Sequence, residues 1–348
     1  MSSRSVNIAL LVIVTLELLS GLGSLLVGGP DGRWIFWLHS AGGLALLVLV
    51  PWKWRIVRRG YRRHGLAAST VLSSVFTVLV LASLATGVLW ATTGLPGQRV
   101  PVLGSLTGLG IHITLSVALI PLFLLHAIAR WQKTRRTDFA SRRAALRYLG
   151  LSAAGLALWR GSEAVARVAG LSGSRQRYSG SREQGSFSGN GYPTTNWFSD
   201  PKPRLDPAAW RLRISGFVRH EATLSLDDLA GLEQRTQRAT LDCTGGWFTT
   251  QDWTGVPLSA VLSRAAPSPD ARSLVLRSAT GYTRRFPLDK AGRLLLATHV
   301  GGEPLSRGHG FPARLVAPGY RGFEWVKWVV AIEVSDSPAW LQSPLPLQ

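Results

Sequence analysis

Cys243 is the one cysteine among 348 residues, and it closes a short alternating run, Thr240-Leu241-Asp242-Cys243. A single thiol excludes a disulfide framework and any thiolate-rich zinc or iron–sulfur site. It leaves two readings, one soft ligand for one metal or a buried inert thiol. A second set of candidates is His39, His112 and His126, which lie within or at the ends of long apolar runs. An ionisable ring is costly in hydrocarbon and is functional there by default.

The apolar runs that carry these histidines span residues 7–27, 33–52, 66–90 and 105–129. Each approaches the roughly 20 residues that a helix needs to cross a bilayer. Turn-forming residues, Gly28-Gly-Pro-Asp-Gly32 and Gly94-Leu-Pro-Gly97, separate them. The loops after the second and fourth runs are basic. Lys53, Arg55, Arg58, Arg59, Arg62 and Arg63 carry no accompanying acid. Arg130, Lys133, Arg135, Arg136, Arg142, Arg143 and Arg147 have only Asp138 among them. These two segments hold most of a net charge of +20. Such placement is that of cytoplasmic loops and sets the N-terminus in the cytoplasm. It argues against a nucleic-acid partner and for lipid.

In that topology His39 lies about six residues and His112 about seven from the outer ends of their helices, so both sit ~10 Å deep. Two imidazoles at one depth could clamp one b-type haem by its two axial positions. His126 is ~21 Å further along the fourth helix, within ~40° of the same face. It could ligate a second, inner haem, for which His64 is the remaining candidate partner. The alternative is that these rings only pack and pair with Ser, Thr or backbone. The arrangement over residues 7–130 resembles the b-type cytochrome subunits of membrane respiratory oxidoreductases. That resemblance implies electron exchange with a quinone or quinol.

After the fourth run comes Ser141-Arg142-Arg143 with Leu146 and Arg147, then a short apolar stretch over residues 148–159. This looks like a twin-arginine export motif with its h-region, acting as a fifth signal or anchor helix. It would carry the rest of the chain to the extracytoplasmic side of a bacterial cytoplasmic membrane. The alternatives are a basic loop before an amphipathic helix, and a C-terminal half that stays cytoplasmic. Residues 171–192 are rich in Ser, Gly and Arg and read as a flexible linker.

From residue 193 the pattern changes to short strands and helices. Strands are expected at 210–216, 240–243, 313–318 and 325–334, with a capped helix opening at Ser225. The domains are thus 1–132, 133–192 and 193–340. Gly308-His-Gly-Phe-Pro-Ala-Arg314-Leu-Val-Ala-Pro-Gly319, followed by Val326-Lys327-Trp328, resembles the molybdopterin-binding domain of the sulfite oxidase family. The likeness extends over about residues 196–334. It implies that Cys243 is the molybdenum-ligating thiolate, and that His309, Arg314 and Lys327 contact the cofactor. Arg321, Asn196 and Trp247 are further candidates. A soft thiolate suits high-valent molybdenum, and the anionic pterin phosphate needs fixed donors.

Two departures bear on the substrate. Sulfite-oxidising members bring arginines forward just after the cysteine. Here stand Thr244-Gly-Gly-Trp247-Phe248, without positive charge, and Thr298 falls where that family has its active-site tyrosine. The run Cys243-x3-Trp247-x5-Trp253-Thr-Gly255-Val-Pro257-Leu258 instead resembles the periplasmic branch typified by the methionine-sulfoxide reductase catalytic subunit. Trp247 and Trp253 could line an uncharged pocket, or Trp253 could be core.

The sequence therefore reads as a four-helix transmembrane bundle with a fifth signal or anchor helix, followed by a mixed α+β sulfite-oxidase-type domain. The expected function is molybdopterin-dependent reduction of a small S-oxide or N-oxide, with haem b, one or two, as relay to the quinone pool. The rivals are sulfite oxidation and a non-enzymatic membrane-anchored binding module.

Overall fold

The computed structural model describes residues 2–64, 68–94, 98–100, 104–129, 133–196 and 201–345. The chain divides into two compact units, Met1–Ser24 with Asp31–Gly180, and Leu25–Pro30 with Ser181–Gln348.

The first unit is helical. It holds α1 (Ser3–Ser24), α2 (Arg33–His64), α3 (Ala68–Thr92), α4 (Gly108–Ala129), the short α5 (Thr137–Ala140) and α6 (Arg142–Val168). A small hairpin, β1 (Gln98–Val100) antiparallel to β2 (Gly104–Leu106), precedes α4. Among the described residues, four helices are long and apolar enough to cross a membrane, within Ser3–Ser24, Pro30–Arg62, Val71–Thr92 and Gly108–Ala129. Their outward faces are apolar too, with Leu19, Val78 and Ile128 all more than 60% exposed. In a water-soluble bundle those faces would be polar.

α1 packs on α2, α3 on α4, and α2 also on α6. Ala9, Ile13 and Val14 of α1 meet Ala45, Leu46 and Leu49 of α2 and Leu151 of α6 in one buried cluster. The α2–α6 crossing is close because Gly155 lies on the backbone of Ala41, where a Cβ would overlap the carbonyl oxygen. Small residues at such a crossing let backbones approach and gain dispersion contact where lipid offers no hydrophobic drive.

Several sequence boundaries are corrected. The second helix does not stop at residue 52 but runs through Pro51 to His64, 32 residues in all. Lys and Arg are good helix formers and no capping signal interrupts them. Ser105 is not the start of the fourth helix but sits in β2, opposite Arg99. The stretch at 148–159 is the middle of a 27-residue helix, with Ser141 capping it by accepting from Ala144 N–H. Leu66 and the turn at 95–97 lie outside the described residues.

The second unit is built on two sheets. Its strands are β3 (Arg182–Glu183), β4 (Leu212–Gly216), β5 (Ala222–Leu224), β6 (Arg235–Asp242), β7 (Trp247–Pro257), β8 (Ser273–Ser278), β9 (Thr283–Pro287), β10 (Leu295–Val300), β11 (Glu303–Pro304), β12 (Arg314–Val316) and β13 (Val329–Ser335). Two short helices interrupt them, α7 (Leu226–Ala230) and α8 (Leu258–Leu262). One sheet runs β11-β10-β7-β3, with β12 on β10 and β6 on β7. The other runs β5-β4-β13-β8-β9, its β4–β13 pair parallel. Ser225 closes a capping box with Asp228 at the start of α7.

The long strand β7 shows why this half folds as it does. Its burial alternates strictly from Trp247 to Trp253, so one face of the sheet meets the core. Gly255 lies on the Leu296 carbonyl of β10, leaving no room for a Cβ. The last strand begins at Val329 rather than at 325, because Trp328 takes φ 52°, which ends extended pairing on that side. Residues 171–192, Gly-rich as they are, carry ordered structure. Arg182 and Glu183 form β3, parallel to the start of β7, and Ser181 is fully buried. The backbone N–H of Arg182 donates to Gly246 O at 3.0 Å. A sheet edge supplies these pairings, and composition gives no warning of it.

Candidate functional sites

Cys243 occupies the first position of the turn that joins β6 to β7. Its N–H donates to Trp247 O at 2.9 Å, and its carbonyl accepts from Gly246 N–H at 3.1 Å. Gly246 takes φ 87°, which a side chain would oppose. Gly245 N–H donates to the Cys243 sulfur at 3.3 Å. A Cβ on Gly245 would stand 3.4 Å from that sulfur and 3.7 Å from the Trp247 indole. The two glycines thus keep the space beside the sulfur clear and aim an amide at it.

Behind the turn lies a buried ion pair. Asp242 and Arg321, 1% and 2% exposed, meet at 2.9 Å. Arg321 also donates to the Cys243 carbonyl at 3.3 Å, and Ser181 donates to the Asp242 carboxylate at 2.7 Å. Burial pushes the Cys243 thiol up. Against it act the Gly245 N–H, the Arg321 charge and the Thr195 hydroxyl, while Asp242 adds to the rise. Replacing Arg321 by Met is expected to destabilise the protein by about 3–5 kcal/mol, since Asp242 would be left buried without its partner. The Asp242→Asn/Arg321→Met double variant should recover most of that loss. Thermal unfolding of the detergent-purified protein measures both.

A second cluster forms around the loop before β12. His309 is 3% exposed. Its Nδ1 pairs with Ser306 Oγ at 2.8 Å and its Nε2 with Tyr192 O at 2.9 Å. Arg314 donates to the Tyr192 hydroxyl and the His309 carbonyl, each at 3.1 Å. Its guanidinium lies over Trp253 and Trp325, 5.1 and 5.8 Å from their centroids. Its Nε is buried without a hydrogen-bond partner. Lys327 donates to Thr195 O at 3.0 Å, Asn196 Oδ1 at 2.8 Å and Gly308 O at 2.8 Å.

Thr195 joins the two clusters. Its carbonyl takes Lys327, and its hydroxyl takes the Trp247 N–H at 3.2 Å. Cys243, Trp247, Arg321, Asn196, His309, Arg314 and Lys327 are therefore parts of one connected region of the second unit. Trp253 is not a pocket residue. It is fully buried and donates to Ala239 O at 3.2 Å. Thr298 lies on β10, its hydroxyl 2.8 Å from His299 Nδ1. Three contributors escaped the sequence reading, namely Thr195, Tyr192 and Asp242. Asp242 alone had a signal, a charged residue in an otherwise inward-facing strand position.

The His309 ring gives a pH prediction. Desolvation, with Arg314 and Lys327 nearby, lowers its pKa from 6.5 to about 4. The unfolded chain then binds the proton first, so this contribution to stability is full above pH 6.5 and is lost as pH falls through about 4. His309→Gln is expected to flatten the stability profile over that window, read by denaturant unfolding at a series of pH values.

The comparisons with known proteins concern this half. Residues 199–341 match the family model described as oxidoreductase molybdopterin binding domain. This is a sulfite-oxidase-type molybdopterin-binding domain. The protein carries, accordingly, an oxidoreductase domain homologous to sulfite oxidase and methionine-sulfoxide reductase enzymes. An uncharacterized oxidoreductase YuiH of Bacillus subtilis is 31% identical over 131 residues, covering 37% of this chain and 66% of that protein. The mitochondrial sulfite oxidase of Mus musculus is 32% identical over 171 residues, 39% of this chain and 31% of its own length. The protein-methionine-sulfoxide reductase catalytic subunit MsrP of Xanthomonas campestris is 32% identical over 158 residues, 39% and 48%. The chain thus spans from about a third to two thirds of the length of these relatives.

The site fits the cofactor that the domain type implies. A recessed soft ligand stands in cleared space, and basic side chains line one connected region. The buried Arg314 Nε has a donor to give. Cys243 would hold molybdenum, and Asn196, Lys327 and the His309 loop would face the pterin.

In the helical unit, His39 and His112 come together. Their ring centroids are 6.0 Å apart. His112 Nδ1 lies 2.9 Å from Ser83 O, an acceptor only, so this nitrogen carries the proton. His39 Nδ1 lies 3.1 Å from both Ser20 Oγ and Glu17 Oε2. Each ring thus commits Nδ1 to a neighbour and leaves Nε2 as the lone-pair donor. Gly21 and Gly87 back the two rings, where a Cβ would stand 3.2 and 3.0 Å from His39 Cε1 and His112 Cε1. His126 is elsewhere. It stacks on Phe76 at 5.0 Å and lies 3.5 Å from Ser73 Oγ, on the wall of a largely apolar cavity of about 710 Å³. Among the described residues lining that cavity there is no second histidine. His64 ends α2 by its backbone, and its side chain lies outside the described residues. Glu17, the sole acid within the four apolar helices, was missed, although an isolated acid in such a run is itself a signal.

Proposed function

We propose that this protein is a membrane-bound molybdenum oxidoreductase that reduces a small neutral S-oxide or N-oxide with electrons drawn from the quinone pool through haem b. The observation that carries the reading is one chain holding both a Cys243-centred molybdopterin site and a facing His39–His112 pair among apolar helices.

The haem fits the pair. Two imidazoles that held one iron between them would stand about 6 Å apart, centroid to centroid. The observed 6.0 Å agrees with that. His39 and His112 would hold the iron through their ring nitrogens, and Gly21 and Gly87 leave the rings room. The cavity beside His126 has the volume and the mixed lining of a ring-shaped ligand site. Its polar wall includes His126, Lys53 and the hydrogen-bonded Tyr61–Ser74 pair, suited to a quinone head group.

At the other site, bound molybdopterin supplies two-electron oxygen-atom exchange. Around it, the chain's own residues set access and charge. Trp247 is held by Thr195 and packs against Tyr192, centroids 6.1 Å apart, forming an apolar wall beside the sulfur. Arg321 stands 2.9 Å from Asp242, so its charge is balanced by that buried acid. A neutral oxide meets such a wall at no desolvation cost for a charge, unlike a dianion. In the overall reaction the S–O bond breaks, and the oxygen leaves as water with two protons. Two electrons arrive one at a time from the oxidation of a quinol.

A twin-arginine signal at Ser141-Arg142-Arg143 would place this domain outside a bacterial cytoplasmic membrane. Two arginines in the first turn of α6 oppose the helix dipole, a local cost that a recognition signal would justify. Protease treatment of intact cells tests the placement. Loss of the C-terminal half supports it and protection contradicts it.

Sulfite oxidation is the second reading, and one observation favours it. Arg182, half-buried on β3, is in register with Trp247 and could bring a positive charge toward an anionic substrate. The purified, molybdenum-loaded protein decides between them. Sulfoxide or N-oxide reduction with an artificial donor is expected. Rapid sulfite turnover that Arg182→Gln abolishes would support the second reading instead.

A further inference from the structure

Glu17 stands in α1 as the sole acid of the four apolar helices. Its side chain is 13% exposed and turned inward. Oε2 lies 3.1 Å from His39 Nδ1, and Oε1 rests against Gly42 of α2 so closely that a Cβ there would overlap it. Gly43 flanks it, where a Cβ would stand 3.3 Å from Oε2. Two successive glycines thus form a notch in α2 that admits the carboxyl group. Ser20, one turn along α1, shares the same imidazole nitrogen and donates its own hydroxyl proton to Glu17 O at 3.2 Å. An acid in hydrocarbon is functional by default, and the titratable group beside this one is His39.

We propose that Glu17 is the positioning residue for His39, its carboxyl group standing 3.1 Å from Nδ1 beside the hydrogen-bonded Ser20 hydroxyl, so that Nε2 is presented to haem iron as a strengthened donor. This rests on the haem reading above and extends it to the residue behind His39. A carboxyl partner raises the basicity of a ligating imidazole and fixes its ring angle and tautomer. Among the described residues, His112, opposite, has the Ser83 carbonyl for its hydrogen-bond partner, a weaker acceptor. The pair is therefore unequal. The His39 side favours the ferric state, and the midpoint potential is lower than two carbonyl-bonded histidines would give.

The test uses the full chain purified in detergent, with haem content, a spectroscopic redox titration and the ferric electron-paramagnetic spectrum as readouts. Glu17→Gln keeps the shape and weakens the acceptor. It should retain haem but favour the ferrous state about tenfold, an upward shift of about 59 mV for a one-electron couple. Glu17→Ala should bind haem 10- to 100-fold less tightly. Gly42→Ala keeps Glu17 itself but pushes its carboxyl group from the notch, and should move the potential in the same direction. Unchanged potential and ferric spectrum in both Glu17→Gln and Gly42→Ala, with haem bound, would overturn the proposal alone. A wild-type protein without haem would overturn the haem reading as well.

Discussion

Substitution of Cys243 by Ser is expected to lower turnover by about a hundredfold or more, at least about 2.7 kcal/mol in the barrier. The fold should survive. The hydroxyl occupies slightly less space than the thiol, and Gly245 N–H and the Thr195 hydroxyl remain as its partners. The cost in stability should stay near 1 kcal/mol. The sulfur is therefore singled out by chemistry. A hydroxyl is a hard and far less basic ligand, whereas the thiolate suits the metal that the domain type implies. Turnover with an artificial electron donor, alongside metal content and thermal unfolding, separates a lost ligand from a lost fold.

The second large effect belongs to the membrane unit. His39→Ala and His112→Ala should each remove the Soret band and the reduced α-band from the purified protein. Each ring would hold the haem iron from its own helix, and loss of either would leave the other, its centroid 6.0 Å away, without a counterpart. Haem per polypeptide should fall to a small fraction of the wild-type value in either variant. His126→Ala should keep the bands, since that ring is stacked on Phe76 and no second histidine lines the cavity among the described residues. Full retention of haem in the His39 and His112 variants would remove the relay from the proposal.

Parts of this arrangement were legible in the chain alone, and the parts that were not have a common cause. The depth argument paired His39 with His112 because rise per residue is fixed in a helix, so equal distance from the helix ends implies equal height. The structure puts their rings 6.0 Å apart. The same argument could not find Glu17, because which faces of α1 and α2 meet depends on packing at Ala9, Ile13, Ala45 and Leu49. Trp253 could not be assigned from its spacing after Cys243. An alternating strand says that Trp253 shares a face with Trp247, not that one ends at the sulfur and the other under Arg314. Thr195 and Tyr192 lie in irregular backbone, where no periodicity exists to read. β3 was hidden by glycine and serine, since edge pairing with β7 makes few demands on side chains. The functional motifs at Cys243 and in the Gly308–Lys327 region survived as text because glycine, proline and charged residues there answer to local geometry.

One measurement joins both halves. The purified protein, replete with molybdenum and haem, is reduced under anaerobic conditions, and a dialkyl sulfoxide is added while the α-band is followed. The account predicts rapid bleaching of the reduced haem in the wild type and none in the Cys243→Ser variant. Reduced haem that persists in the wild type with both sulfoxide and N-oxide, or that bleaches equally in the variant, would contradict it.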